Sequence, residues 1–240
     1  MKIAAIAART IFIACLPIFL FTASIAVAFN CSGLYNYGFG KYDISAVTGI
    51  AAPELNRVAR DLISYWNSGE EYIEVVVEKE VGGPPFALFN EREMGHLKDV
   101  KTLVKLDYSA LTATGLFCVA YAVAALWYRR PAYRRDLAVA GFWGGILSLG
   151  ILVVVGVSAL ADFGGFWTQF HLLSFSNDLW LLDPSKDYLI MMFPEGFWAD
   201  SMMVVAGLTA FLALVTCGLS WFYLKRASVA CQSVEPTPTP

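Results

Sequence analysis

Four long apolar runs decide what this chain can become. Ile11 to Phe29, Tyr108 to Tyr128, Leu137 to Ala161 and Ser201 to Leu224 carry no charged residue in their interiors. Each is close to the ~20 residues that a helix rising about 1.5 Å per residue needs to cross the hydrocarbon of a bilayer. With 58% hydrophobic and 15% charged residues, the whole chain is too apolar for a water-soluble domain. The expected fold class is therefore a mainly α membrane protein, with four transmembrane helices, a small extracytoplasmic α+β domain and an interfacial helical segment.

An even number of spans puts both termini on one side. The short pieces on that side hold Lys2, Arg9, Arg129, Arg130, Arg134, Arg135, Lys225 and Arg226 against only Asp136 and Glu235, which by the positive-inside rule makes it cytoplasmic. The other two connections carry nine Lys or Arg and eighteen Asp or Glu, and hold both histidines of the chain, His96 and His171. Domain boundaries follow. Residues 1–29 form the first span with its cytoplasmic N-terminus, and 30–107 an extracytoplasmic domain. Residues 108–161 form the second and third spans with a basic loop, 162–200 an interfacial segment, 201–224 the fourth span and 225–240 a disordered tail ending in Pro-Thr repeats. Lys2, Arg9 and Ala26-Val27-Ala28 also have the form of a cleavable secretory signal. That run is longer than a usual signal core and three spans follow, so we read it as retained. Cys31 lacks the small preceding residues of a lipidation box. Only one of the five cysteines lies outside, so no outer disulfide is available, and no Cys-x-x-Cys metal spacing occurs.

Within the first outer segment the sequence predicts a Gly- and Tyr-rich loop over Gly33 to Gly40. A helix follows from Pro53, with Leu55, Val58, Leu62, Ile63 and Trp66 at three-and-four spacing, and ends at Gly69. Glu71 to Glu80 reads as a strand, Gly82 to Pro85 as a turn and Phe86 to Phe89 as a short partner strand. A domain of this size with so little apolar surface is marginal alone and must rest on the bilayer or on the second outer segment. Asn90 and Glu93 have the form of a capping box that starts a helix leading into the second span. On that helix Arg92, His96 and Asp99 share one face, so the Asp99 carboxylate can hold the His96 imidazole and fix its tautomer.

Asp162 to Asp200 is nearly as apolar as a span, yet it is cut by Gly164-Gly165, Asp178, Asp183-Pro184, Asp187 and Pro194-Glu195. Carboxylates are costly in hydrocarbon, and glycine and proline interrupt the backbone bonding a span needs, so this segment should lie along the membrane surface. Phe166, Trp167, Phe170, Leu173, Phe175, Leu179 and Trp180 give it the aromatic loading of an interfacial element.

The set Glu91-Arg92-Glu93, His96 and Asp99-Val100, followed by Phe170-His171, Phe175, Asn177, Trp180 and Phe193-Pro194-Glu195-x-Phe197, resembles the bacterial membrane protein family that contains lipoprotein intramolecular transacylase. The likeness extends from Ile11 to about Leu224, including the four-span order and Asp61 to Tyr65. It implies acyl transfer within one molecule, from the sn-2 ester of a lipoprotein's diacylglyceryl group to the α-amino group of its N-terminal cysteine. Diacylated bacterial lipoproteins would be the substrate, in contact with membrane lipid of the plasma membrane. The family's two essential histidines correspond to His96 and His171, with Asp99, Arg92, Asn177 and Trp180 supporting them or binding substrate. No metal or other cofactor is implied. The competing readings are a membrane scaffold or sensor with an outer partner-binding domain, and a metal-dependent hydrolase, which the absence of a His-Glu-x-x-His spacing disfavours. The only basic cluster, Arg129 to Arg135, reads as a cytoplasmic anchor, so nucleic-acid binding has no support.

Overall fold

The computed structural model describes residues 2–79, 83–128 and 130–232. Glu80 of the expected strand, Gly82 of the expected turn, Arg129 of the basic loop and the Pro-Thr tail over 233–240 lie outside the described residues. Eleven elements follow one another among the described residues: α1 Lys2–Asn30, α2 Ser32–Lys41, α3 Ile44–Thr48, α4 Ala52–Asn67, β1 Val76–Val77, β2 Phe86–Ala87, α5 Glu91–Trp127, α6 Pro131–Ala161, α7 Phe163–Ser174, α8 Tyr188–Met192 and α9 Glu195–Gln232.

The four expected spans fall on α1, α5, α6 and α9, the four helices long and apolar enough to cross a membrane. Helix α5 has 37 residues, which at about 1.5 Å each is far more than hydrocarbon requires. The surplus is its first part, where Glu91, Arg92, Glu93, Lys98, Asp99, Lys101, Lys105 and Asp107 precede the apolar run. The capping-box helix and the second span are thus one continuous rod, because no proline interrupts the chain between them.

The chain divides into two compact units. The first gathers residues up to Ser24, Ser109–Gly156 and the chain from Ala206 onward. Its core is built from Phe12, Leu16, Leu20, Cys118, Ala140 and Ala213. Small residues on α6 allow close helix approach: a Cβ on Gly144 would come within 2.8 Å of Leu16, and one on Gly145 within 2.4 Å of the Cys217 sulfur. The buried Thr209 hydroxyl donates to Ser24 Oγ at 2.9 Å and Ser24 to the Leu20 carbonyl at 2.8 Å, so neither polar group is left unpaired in apolar surroundings.

The second unit, Ile25–Tyr108 with Val157–Val205, joins both segments that the sequence places outside. One core runs through Ile44, Ile50, Leu55, Val58, Leu62, Tyr65 and Leu88 from the first segment and Leu189, Met192, Phe193 and Phe197 from the second. The marginal first segment is therefore completed by the second, one of the two supports that its composition left open. The expected Gly33 to Gly40 loop is instead helix α2. Tertiary packing overrides the poor helix propensity of its glycines: Tyr35 meets Phe193 edge-on and Phe39 packs tilted against it, and Phe197 lies where a Cβ of Gly38 would be, 2.3 Å away. The β structure is shorter than expected. Among the described residues Val76–Val77 alone pairs with Phe86–Ala87, antiparallel, although Ile73, Val75 and Val77 alternate inward over the extended stretch before the turn. The second outer segment forms the short helices α7 and α8, with irregular chain between them, and the start of α9; at 12 residues α7 is too short to cross a bilayer.

The start of α5 is fixed by a complete capping box. Asn90 N donates to Glu93 Oε2 at 2.8 Å, and Glu93 N to Asn90 Oδ1 at 3.1 Å. Glu93 is 1% exposed, and its other oxygen accepts from Leu189 N at 2.7 Å. Asn90 also donates its side-chain amide to Asp187, which accepts from Asp183 N as well. Glu93→Ala would leave the Leu189 N–H unpaired in the core and the Asn90 N–H unpaired at its edge, a cost of about 3 kcal/mol. We expect a clearly lowered melting temperature for this variant in detergent, with Glu93→Gln in between; an unchanged melting curve would show that the knot contributes nothing.

Candidate active site

Two helices bring the histidines together. His96 sits one turn after the capping box on α5, and His171 lies near the end of α7, whose own start is capped by the Asp162 carboxylate accepting from Gly165 N at 3.0 Å. A side chain at Gly165 would meet that carboxylate at 2.2 Å, so the cap requires glycine there. The two imidazoles, 75 residues apart in the chain, stack with ring centres 5.9 Å apart and planes at 29°. They are 8% and 7% exposed.

Aromatic rings close around them. Phe175 packs edge-on against His96 at 5.1 Å and lies 5.6 Å from His171. Trp180 covers His171 at 4.9 Å, and Trp167 meets it edge-on at 4.8 Å while stacking on Trp198. Phe175 and Trp180 belong to the quoted motif, but Trp167 and Trp198 had no place among the candidate site residues. A signal for Trp167 existed: it stands four residues before His171 on α7, the spacing that puts two side chains on one helix face.

That spacing also sets a tautomer. His171 Nδ1 is 2.8 Å from the Trp167 carbonyl oxygen, and a carbonyl only accepts, so Nδ1 carries the hydrogen. In the neutral ring Nε2 then offers a lone pair. His96 Nδ1 is buried with no hydrogen-bond partner among the described residues. The expected bond from Asp99 to this ring does not form at Nδ1; Asp99 Oδ2 accepts from the Asn177 side-chain amide at 2.8 Å. Asp99 acts on His96 only through its charge.

His96 lies in the charged opening turns of α5, outside its apolar run. Burial lowers its pKa from the usual histidine value to about 4, with the nearby His171 adding to the shift and Asp99 opposing it. Burial likewise lowers the pKa of His171, against the hydrogen bond to Trp167. Both rings are therefore neutral at pH 7.

The other candidates also converge here. Arg92 donates to the Asp178 carbonyl oxygen, Asn177 Oδ1 accepts from Leu179 N at 3.0 Å, and Leu179 fills the notch left by Gly95, where a Cβ would stand 2.9 Å from its methyl. Arg92, Asn177 and Trp180 thus meet through the segment from Phe175 to Leu182. Among the described residues no three His, Cys, Asp or Glu side chains gather as a metal-binding set.

The sequence profile of the family described as lipoprotein intramolecular transacylase Lit matches residues 10–198. The chain belongs to this family. Lit proteins are acyltransferases of lipoprotein processing, and this one is a multi-pass membrane transacylase acting within lipoproteins. Its fold is that of the integral membrane transacylase Lit from Bacillus cereus solved in meso, with a TM-score of 0.74 and 17% identity, covering 95% of this chain and 100% of the other. Two variants of that protein match equally at TM-score 0.74 and 17% identity over 95% of this chain; one has a histidine changed to arginine, covering 96% of its chain, and one to alanine, covering 97%. No curated protein sequence matches.

The lowered imidazole pKa values make the stability of the transacylase depend on acid. An unfolded chain takes up protons below about pH 6.5 that a folded ring with a depressed pKa refuses, so the contribution is present above that value and is lost as pH falls towards 4. Measured as the difference between the wild type and His96→Gln, so that carboxylate contributions cancel, stability should fall by up to about 1.4 kcal/mol per pH unit across that window. A difference independent of pH would mean that His96 titrates as a solvated histidine.

Proposed function

We propose that His96 and His171 carry the transacylation, moving the acyl group from the sn-2 oxygen of the substrate's diacylglyceryl group to the α-amino nitrogen of its N-terminal cysteine. The observation that supports this most is the fixed tautomer of His171: a neutral base with its Nε2 lone pair free, stacked against a second neutral imidazole in an aromatic enclosure. An α-amine with a pKa near 8 attacks an ester as the free base, a share of which is present at neutral pH, and a neutral imidazole is suited to take the proton that the nitrogen sheds as the amide forms.

In this reading the amine nitrogen attacks the ester carbonyl, and His171 Nε2 takes the proton. The C–O bond to the glyceryl oxygen then breaks, and the proton passes from His171 to that oxygen, so that every atom of the substrate is kept. A depressed pKa makes the imidazolium a good acid for this second step. His96, with its hydrogen on Nε2, donates to the carbonyl oxygen as charge develops there; one such donor is worth about 3 kcal/mol. Nucleophile and ester belong to the same molecule, so orientation replaces encounter, and no enzyme nucleophile is needed. The aromatic walls restrict water, the competing nucleophile.

The site is assigned to the extracytoplasmic face of the bacterial plasma membrane, with both termini cytoplasmic, from the basic residues that flank the spans on the opposite side. Apolar side chains near His171 fit a position at the bilayer surface: Leu173 is 87% exposed and Leu172 56%, which would be costly against water and suits acyl chains.

The test is expression in a strain that makes diacylated lipoproteins, with mass spectrometry of the N-terminal peptide of a reporter lipoprotein. The wild type should give the N-acyl, S-monoacylglyceryl form, while His171→Ala and His96→Ala each lower its yield by about 10²-fold or more. An undiminished product from either variant would remove that histidine from the mechanism.

A further inference from the structure

The segment from Phe175 to Leu182 lies over both imidazoles and is tied to a single face of α5 at three points. Arg92 holds the Asp178 carbonyl, Leu179 seats in the Gly95 notch and Asp99 holds Asn177. Positions 92, 95 and 99 are successive turns of one helix face, and His96 stands among them. Phe175 at one end packs on His96, and Trp180 near the other packs on His171. Beneath this cover the two histidines are 8% and 7% exposed and stack ring on ring. A diacylglyceryl group and a peptide N-terminus cannot reach both ring nitrogens while the cover stays in place.

We infer that Asn177 and Asp99 form a positioning pair that latches this segment as a strap: closed, it sets Phe175 and Trp180 against the two imidazoles, and it must release to admit the lipoprotein. This inference rests on the reading of His96 and His171 as the reacting pair, but gives Asp99 a different task from orienting an imidazole. The chemistry of the latch requires an amide at position 177. Its nitrogen donates to Asp99 Oδ2 at 2.8 Å, while its oxygen accepts from Leu179 N at 3.0 Å and folds the strap into a tight turn. A carboxylate at 177 could still accept from Leu179 but has nothing to donate, and would set like charges face to face. Moving the amide to position 99 at the same time rebuilds the bond with donor and acceptor exchanged.

The experiment uses the full-length protein in membranes and reads two quantities: yield of the transacylated reporter peptide, and labelling of His171 by diethyl pyrocarbonate, followed by peptide mass spectrometry. Asp99→Asn keeps an acceptor for the Asn177 amide but removes the charge that acts on His96, so it should lower yield less than Asn177→Asp does and leave labelling within about threefold of the wild type. Asn177→Asp should lower yield about tenfold or more and raise labelling by a similar factor, the loss expected for one broken hydrogen bond together with repulsion. The double variant Asp99→Asn/Asn177→Asp should return both readings to within about threefold of the wild type. A general loss of folding at either site would not be rescued by combining the two changes. Loss of yield in Asp99→Asn as large as in Asn177→Asp would show that the charge of Asp99 is what matters, and would overturn the latch. Unchanged labelling in Asn177→Asp, or a double variant no better than that single change, would overturn it as well. Labelling needs no turnover, so it reports on the strap even if the histidines prove not to be the reacting pair.

Discussion

A single buried carboxylate organises the second unit. Glu93 accepts the backbone N–H of Asn90 with one oxygen and that of Leu189 with the other, joining parts of the chain 96 residues apart. Asn90 completes the knot through Asp187. Each group here would be expensive to bury alone, and each is tolerable because its partners are all present. The knot lies one turn before His96 and just after the strap that covers it, so it fixes the frame on both sides of the imidazole pair.

With that frame set, the site is defined by what it lacks as much as by what it holds. Among the described residues no carboxylate hydrogen-bonds to His171, whose Nδ1 is committed to the Trp167 carbonyl, and none pairs with the Nδ1 of His96. Burial among aromatic rings outweighs the opposing charge of Asp99 at His96 and keeps both rings neutral. Neutral imidazoles suit a reaction that begins by taking a proton from an amine and ends by returning it to an alkoxide. They also spare the enclosure the cost of holding two positive rings 5.9 Å apart.

Several details could be read from local spacing because local chemistry decides them. The capping box at Asn90 and Glu93 formed as its spacing indicated, and so did the helix from Ala52 with Pro53 in its first turn. Other details turned on distant partners. Helix α2 contradicts its own glycine content because Phe193 and Phe197 arrive from elsewhere to pack on it. Asp99 stands one turn from His96, so a direct bond between them was reasonable, yet Asn177 competes for the carboxylate from 78 residues away.

The sequence by itself determined the membrane class, the number of long apolar helices and the two histidine motifs, because charge-free runs of about twenty residues admit few alternatives in water. Through the likeness of its motifs it also indicated the family. Only the tertiary structure decided that the two imidazoles stack and that Asp99 accepts from Asn177 instead of holding the neighbouring ring. Those outcomes depend on contacts between residues far apart in the chain, and spacing along a helix carries no record of what a remote segment will place against it.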